Sequence, residues 1–192
     1  MATAQKSSFK PYQFGAYHMI GNDNWEPQRT NNFEIHIYGL EALTSADKSL
    51  KMPSNAGQFL TLATKNVGAI GINISPISVD YGNNNINFAG KPSYDSISIN
   101  FNDYVGIETE RIIAAWHRTV YDPKTQKIGR ASVYKKPAQL LEFSPDGAYV
   151  KCWQLYGCFP TSVSYGGYDQ GGGSIREISV TLSIDYAIPL DD

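Results

Sequence analysis

The chain has 192 residues, of which 42% are apolar and only 18% are charged, and its formal net charge is −2. This length suits one domain with its own hydrophobic core. The lack of net positive charge argues against tight nucleic-acid binding. A composition poor in charge and rich in Tyr, Asn, Ser and Gly favours a protein that packs against copies of itself.

The N-terminal part divides into an irregular segment and a first strand. Residues 1–31 lack a regular period and predict an N-terminal arm, which leaves residues 32–192 as a single β domain. The first strand is predicted at 33–40, where apolar and polar residues alternate. Residues 41–66 combine turn formers with a strand-like stretch at 58–66, so they predict a long protruding loop or hairpin.

The middle of the chain contains two strand-like segments, a turn between them and a helical segment after them. In residues 70–81 the apolar residues alternate, and the parity changes at Pro76. Proline cannot donate to a strand ladder, so this position predicts a bulge or bend. Residues 82–87, GNNNIN, are typical of a turn, and 94–103 alternate strictly. Residues 107–121 carry apolar residues at four-residue spacing, which predicts a helix.

The C-terminal third predicts a hairpin and a closing strand. Residues 138–143 and 148–155 are strand-like and flank the turn sequence SPDG at 144–147. Residues 175–186 alternate over their whole length. Many strands and one helix predict a mainly β protein, a β-sandwich or partial barrel of two packed sheets with a flanking α-helix at about 107–121.

The sequence predicts no catalytic, metal or cofactor site. Cysteine catalysis needs a nearby base, and the three histidines of the chain are isolated from one another. Cys152 and Cys158 have neither the C-x-x-C spacing of redox sites nor a zinc-site pattern, so both are interpreted as structural. The glycine-rich run at 166–174 lacks the Lys-Ser/Thr pair of a phosphate loop, so it is interpreted as a flexible connection.

The polar faces of the predicted strands carry a further signal. Their residues are small and neutral or acidic, and none is Lys or Arg, so these faces offer a phosphate backbone no cation. An ordinary solvated face explains the same pattern, and its meaning depends on the architecture. The residues are Asn73, Ser75, Ser78, Asp80, Ser96, Ser98, Asn100, Asn102, Glu177, Ser179, Thr181, Ser183 and Asp185.

The C-terminal third also contains a recognisable combination of features. A strand ending in Trp153-Gln154-Leu155 is followed by YGCFPTSVS, a corner with a glycine and a Phe-Pro pair, and the last alternating strand ends in Asp185-Tyr186. This combination, after the helix and the SPDG hairpin, resembles the tail tube proteins of contractile-tailed bacteriophages. That family is related in fold to the haemolysin-coregulated protein of type VI secretion. The resemblance covers about residues 32–188, and its motif residues are Trp116, Trp153, Gly157, Phe159 and Pro160.

The resemblance implies a structural virion protein rather than an enzyme. Hexameric rings are expected to stack helically into the inner tail tube, which is assembled in the host cytoplasm, penetrates the cell envelope and conducts the genome. The expected partners are other copies, the sheath, tape-measure, baseplate and tail-terminator proteins, and viral DNA in transit without specific binding. The cation-free residues become candidates for the lumen. Candidates for contacts between rings are Leu43, Leu50, Met52 and Leu60.

Two other functions stay open at this point. The first is a tube protein of a bacterial contractile injection or type VI secretion system, which the sequence barely separates from a phage tail tube. The second belongs to another class, a tyrosine-rich carbohydrate-binding β-sandwich. Such a module predicts a monomer with an aromatic groove, whereas a tube protein predicts rings or filaments.

Overall fold

The computed structural model describes residues 28–43, 52–106 and 108–190 of the chain. The predicted N-terminal arm therefore lies outside the described residues apart from 28–31. In chain order the elements are β1 (Phe33–Ile37), α1 (Ala56–Ala63), β2 (Thr64–Val67), β3 (Ile72–Tyr81), β4 (Asn84–Tyr94), β5 (Ile97–Asn102), α2 (Thr109–Val120), β6 (Tyr121–Asp122), β7 (Lys127–Ile128), α3 (Ala131–Tyr134), β8 (Lys136–Phe143), β9 (Tyr149–Tyr165), β10 (Glu177–Ser183) and β11 (Tyr186–Leu190). In these described ranges no helix is long and apolar enough to cross a membrane.

Two antiparallel sheets share the long strand β9. Its first half pairs with β8 and β11, and β8 in turn pairs with β1. Its second half pairs with β10, followed by β5 and β2. The inner faces of both sheets and the helices join in one hydrophobic core. The predicted fold class, a mainly β protein with packed sheets and a flanking helix at α2, is confirmed. Across the described strands the ladder runs from β1 to β2 without closing into a barrel.

Alternation along the strands explains which face each sheet buries. On β5, Ile97, Ile99 and Phe101 are buried, and the residues between them face outward. The apolar residues of β10 repeat this pattern, and Val180 lies directly opposite Ile99. Because successive side chains on a strand point to opposite sides, one face of this sheet is apolar and the other is polar.

The strand β9 changes sheets at Gly157. This glycine has φ +68°, a left-handed conformation that a Cβ atom disfavours. The Asp185 carboxylate packs directly against the Gly157 Cα, and Lys135 Nζ donates to both Asp185 carboxylate oxygens at 2.7 Å. The Asp185 backbone N–H donates to the Tyr156 carbonyl at 2.9 Å. The predicted corner is therefore present, and an ion pair holds it from the outside.

The other motif residues surround this corner and the helix. The Phe159 ring packs edge-on against Tyr134 with 5.2 Å between ring centroids. Pro160 lies opposite Leu182, where the pairing of β9 with β10 shifts register. Trp116 of α2 is 1% exposed, and its indole Nε1–H donates to the Tyr134 carbonyl at 2.9 Å. These contacts attach α2 and α3 to the side of the sandwich where the corner lies.

The prediction of a long protruding loop or hairpin at about 41–66 is wrong for residues 56–63. Residues 56–63 form the helix α1, which buries Ala56, Leu60 and Ala63 in the core. The Thr61 hydroxyl donates to the Ile35 carbonyl at 2.7 Å and ties α1 to β1. A short apolar run is compatible with either a helix or a strand, so its sequence pattern was ambiguous.

Among the described elements, it is the hairpin of β3 and β4 that protrudes. Within the part of the chain that the structure describes, these strands pair only with each other. They are joined by a two-residue loop, Gly82-Asn83, with φ +63° at Gly82. The predicted turn at 82–87 was too long, since β4 begins at Asn84. The predicted irregularity near Pro76 is confirmed by a register shift between Ile74 and Pro76. At ten residues, β3 is about 33 Å long.

Candidate assembly surfaces

In the outer half of the protruding hairpin, one face is apolar and exposed to solvent. Ile77 lies directly opposite Phe88, and Val79 lies opposite Ile86. These four side chains are between 45% and 57% exposed. A solvated two-stranded ribbon is marginally stable alone, and a contiguous apolar patch is typical of an interaction surface. The alternate pairs are polar: Ser78 with Asn87 and Asp80 with Asn85.

This hairpin continues the hydrogen-bonded ladder of the second sheet, which is the sheet formed by β2, β5, β10 and the second half of β9. The Gly68 N–H donates to the Ser98 carbonyl at 2.7 Å, and the Asp95 N–H donates to the Gly71 carbonyl at 3.0 Å. These bonds bridge the interval between the β2–β5 pair and the β3–β4 pair. The hairpin is therefore an extension of the sheet beyond the body of the protomer, and its orientation is set by the sheet.

The structure brings many of the predicted lumen residues together on one surface. They lie on the polar face of the sheet formed by β2, β5, β10 and the second half of β9. Serine residues of β9, which the sequence pattern did not indicate, widen this face because Ser162 lies opposite Thr181 and Ser164 opposite Ser179. Ser183 continues the outward alternation of β10. The directly opposed pairs from β5 and β10 are Ser98 with Thr181, Asn100 with Ser179 and Asn102 with Glu177.

Lys65 of β2 also reaches this polar face. Its Nζ forms an ion pair with the Glu177 carboxylate. The lysine was missed because β2 was not resolved as a separate strand in the sequence pattern. The face therefore contains a cation, but its charge is compensated by the adjacent carboxylate.

The remaining lumen candidates lie elsewhere. Ser96 is in the junction between β4 and β5. Asp185 is at the corner, where Lys135 holds it beside Gly157. The residues on the protruding hairpin rather than on the sheet are Asn73, Ser75, Ser78 and Asp80.

The predicted stacking residues do not form an exposed patch. Leu43, Met52 and Leu60 are 5%, 9% and 1% exposed and belong to the core of the protomer. Little of their surface is left for contact with a second ring. Leu50 lies outside the described residues.

An open groove of about 780 Å³ lies between two sheet edges. Among the described strands, β1 and β2 each pair on one side only, and residues from both line the groove. The aromatic residues in its lining are Phe33 and Trp153. Unpaired strand edges invite further pairing, so these edges are also positions where another chain can add to the sheet.

The cysteines lie in the interior of the protomer. Cys158 is fully buried and Cys152 is 4% exposed. Burial, reinforced by the negative charge of Asp185, raises the pKa of the Cys158 thiol from 9.0 to about 12. A neutral, inaccessible thiol is a poor nucleophile. The described residues contain no group of three or more His, Cys, Asp or Glu side chains arranged to hold a metal ion.

The raised pKa of Cys158 predicts a loss of stability at high pH. The unfolded chain releases this proton near pH 9, whereas the folded chain holds it to about pH 12. The neutral Cys158 thiol therefore makes its full contribution to the free energy of unfolding below pH 9. Between pH 9 and about pH 12 the equilibrium constant for folding falls by up to about tenfold per pH unit. Urea unfolding from pH 8 to 11 measures the slope, and Cys158→Ala should make it shallower. Equal slopes for the two proteins would contradict the buried neutral thiol.

No protein-family model matches the chain, and no curated protein matches it. Similar solved structures include the sheath–tube complex of the extracellular contractile injection system PVC in its extended state. That match is 17% identical, covers 95% of this chain and 99% of the other, and has a TM-score of 0.62.

Two further matches extend the comparison. The sheath/tube terminator of the PVC system is 18% identical, with coverage of 86% and 97% and a TM-score of 0.62. The SPP1 tail tube is 15% identical, with coverage of 86% and 80% and a TM-score of 0.51. Similarity at these identities establishes the fold. The protein has the fold found in these contractile injection and tail tube assemblies, as the resemblance to tail tube proteins predicted.

Proposed function

We propose that the protein is a structural tube protein whose hexameric rings stack helically into the inner tube of a contractile tail. The observation that carries this proposal is the amphipathic β3–β4 hairpin, which extends the sheet ladder into solvent with an apolar face. Packing the hairpin against a neighbouring copy would bury that face. Repeating the contact around a closed ring would also cover the open sheet edges.

The polar face of the second sheet is the proposed lumen surface. Its opposed Ser, Thr and Asn residues offer hydrogen bonds but little net charge, and Lys65 is compensated by Glu177. A DNA backbone gains affinity mainly from uncompensated cations. Such a surface would let a polyanion pass without being held.

We favour a phage tail over another injection machine, with the virion tail as the location and the host cytoplasm as the place of assembly. The proposed partners are the sheath, tape-measure, baseplate and tail-terminator proteins, and DNA in transit. The similarity to a sheath–tube complex, a tube terminator and a phage tail tube supports a tube role in either kind of machine. Neighbouring genes for a capsid and a terminase would favour the phage, and genes for injected toxins would favour the alternative.

Electron microscopy of the purified protein tests the proposal directly. Negative-stain images and analytical ultracentrifugation over a range of concentrations should show six-fold rings, hollow tubes or both. A protein that stays monomeric at every concentration would contradict the proposal. In that case, binding of oligosaccharides to the monomer would support the carbohydrate-binding alternative.

Adding cations to the polar face should slow genome passage. Ser98→Lys with Thr181→Lys places two lysines directly opposite each other on this face, and each can attract phosphate. Particles carrying this pair should assemble but release DNA more slowly, as measured by dye binding after triggered ejection. The matched control, glutamine at both positions, adds length without charge and should release DNA at the normal rate. Unchanged release from the lysine variant would contradict a lumen position for this face.

A further inference from the structure

The two ends of helix α2 carry surfaces of opposite charge. At its C-terminal end lies a basic lobe, defined as residues 121–130, which contains the β6–β7 hairpin. At its N-terminal end lies an acidic end, defined as loops 103–106 and 166–176 together with Glu110. Because α2 has twelve residues, about 18 Å of helix separates the two surfaces.

The basic lobe presents cations beside an exposed apolar residue. Lys127 and Arg130 are exposed, and neither pairs with a carboxylate in the described parts of the chain. Ile128, next to Lys127, is 78% exposed. The Asp122 carboxylate accepts bonds from Thr125 Oγ1 at 2.8 Å and from the Lys124 N–H at 3.0 Å within the same turn. The lobe therefore combines positive charge with an uncovered isoleucine.

Arg176 gives the acidic end a defined shape. Its Nη1 contacts Asp103 Oδ2 at 2.6 Å and Glu110 Oε2 at 2.7 Å, and its Nε–H donates to the Gly166 carbonyl at 3.3 Å. The guanidinium also lies over the Tyr168 ring, 4.6 Å from its centroid. These contacts tie the glycine-rich loop to α2 and to the end of β5. The sequence predicted this glycine-rich loop to be a flexible connection, but in the structure it is anchored at both ends.

The anchored acidic end exposes apolar residues and carboxylates together. Val105, Tyr168 and Ile175 are strongly exposed, at 107%, 85% and 61%. Asp169 is exposed, and its carboxylate accepts the Gly171 N–H at 2.9 Å without a cationic partner in the described structure. Asp103 and Glu110 share the single guanidinium of Arg176. The surface therefore keeps a net negative charge around an apolar patch.

We propose that the basic lobe of one copy docks on the acidic end of a copy in the next ring. The inference rests on the proposed tube function. It identifies a pair of stacking surfaces in place of Leu43, Met52 and Leu60, which are buried. The two surfaces complement each other in two ways. Each exposes apolar residues, and their charges are opposite. A contact between two different surfaces of the same chain grows into an open filament when its rotation does not close into a ring, so this contact is compatible with axial growth of a tube. Charge complementarity also fixes the partner and speeds docking.

A charge reversal followed by a charge swap tests the contact. Lys127→Glu with Arg130→Glu should leave single rings but reduce the yield of stacked tubes by about tenfold or more. Adding Asp169→Lys to that variant removes the net negative charge of the acidic end and supplies a cation to the new glutamates, so it should recover part of the tubes. The matched control, Lys127→Arg with Arg130→Lys, keeps both charges and should stack normally. Sedimentation and negative-stain microscopy measure the ratio of rings to tubes, and circular dichroism checks the fold.

The possible results separate this contact from the tube proposal itself. Rings that stack normally after the reversal overturn the contact while the tube function stands. Rings that fail to stack and are not rescued by Asp169→Lys overturn the assignment of the acidic end. A wild-type protein that forms neither rings nor tubes overturns both proposals. If the reversal variant does not fold, wild-type stacking at rising salt decides: weakening supports the contact, and no change contradicts it.

Discussion

Replacing Gly157 with alanine is expected to destabilise the protein by about 3 kcal/mol and to abolish tube formation. An alanine at φ +68° costs about 1–2 kcal/mol in backbone strain alone. Its Cβ would also overlap the Asp185 carboxylate, which Lys135 holds in place with two hydrogen bonds. Relief of the overlap requires either loss of this ion pair or displacement of the chain before β11. Urea denaturation measures the change in the free energy of unfolding.

Gly147 provides a matched control for the backbone contribution. It also has a positive φ, +87°, but a Cβ atom there would meet nothing within 4 Å. Gly147→Ala should therefore cost only the conformational strain, about 1–2 kcal/mol. A Gly157→Ala variant that loses no more stability than Gly147→Ala would show that the Asp185 contact does not constrain the corner.

Removing the apolar face of the hairpin is expected to prevent assembly without destabilising the protomer. Ile77→Ser with Phe88→Ser replaces a directly opposed pair whose members are 57% and 56% exposed. Exposed residues contribute little to the stability of a single protomer, whereas burial at an interface gains roughly 25 cal/mol per Å² of apolar surface. The double variant should sediment as a monomer under conditions where the wild type forms rings. Its thermal midpoint should stay within about 2 °C of that of the wild-type protein diluted until it is monomeric.

The opposite face of the same hairpin supplies the control. Ser78→Ala with Asn87→Ala changes the neighbouring directly opposed pair, which is polar. This variant should assemble like the wild type if the apolar face makes the contact. Assembly by the serine variant, or its loss in the alanine variant, would mean that neighbouring copies do not bury the apolar face.

Strict alternation made several strands readable from the sequence. Ile97, Ile99 and Phe101 are apolar at every second position, and the structure buries all three on one side of β5. The turn sequence at 144–147 separates β8 from β9 as predicted. The helix prediction also succeeded, because Ile112 and Trp116 lie four residues apart on the buried face of α2. Local periodicity suffices where one face of an element meets the core and the other meets solvent.

Short and two-sided segments were less predictable. Residues 58–63 contain too few turns of helix for their period to be distinguished from a strand, and contact with β1 settles them as part of α1. The residues of β3 alternate like those of a half-buried strand, yet every one of them is exposed. Alternation shows that a strand has two different faces, but it does not show whether the apolar face meets its own core or another molecule.

The polar face of the second sheet was also predictable only in part from the sequence. The sequence indicated outward residues on β5 and β10, but only strand pairing placed Ser98 opposite Thr181 and added Ser162 from β9. The ion pair between Lys65 and Glu177 joins residues 112 positions apart. Contacts over such separations depend on strand order, which a single sequence does not encode in any local pattern.

By itself the sequence determined the alternating strands, the helix α2, the glycine corner and the absence of a recognisable catalytic motif, because each follows from residues close together in the chain. The tertiary structure decided how the corner is held, since Asp185 and Lys135 meet Gly157 only after folding. It also decided that the hairpin at 72–94 projects from the domain, whereas the helix at 56–63, within the segment predicted to protrude, packs into the core. Packing makes these choices, because the exposure of an apolar residue depends on which distant elements cover it.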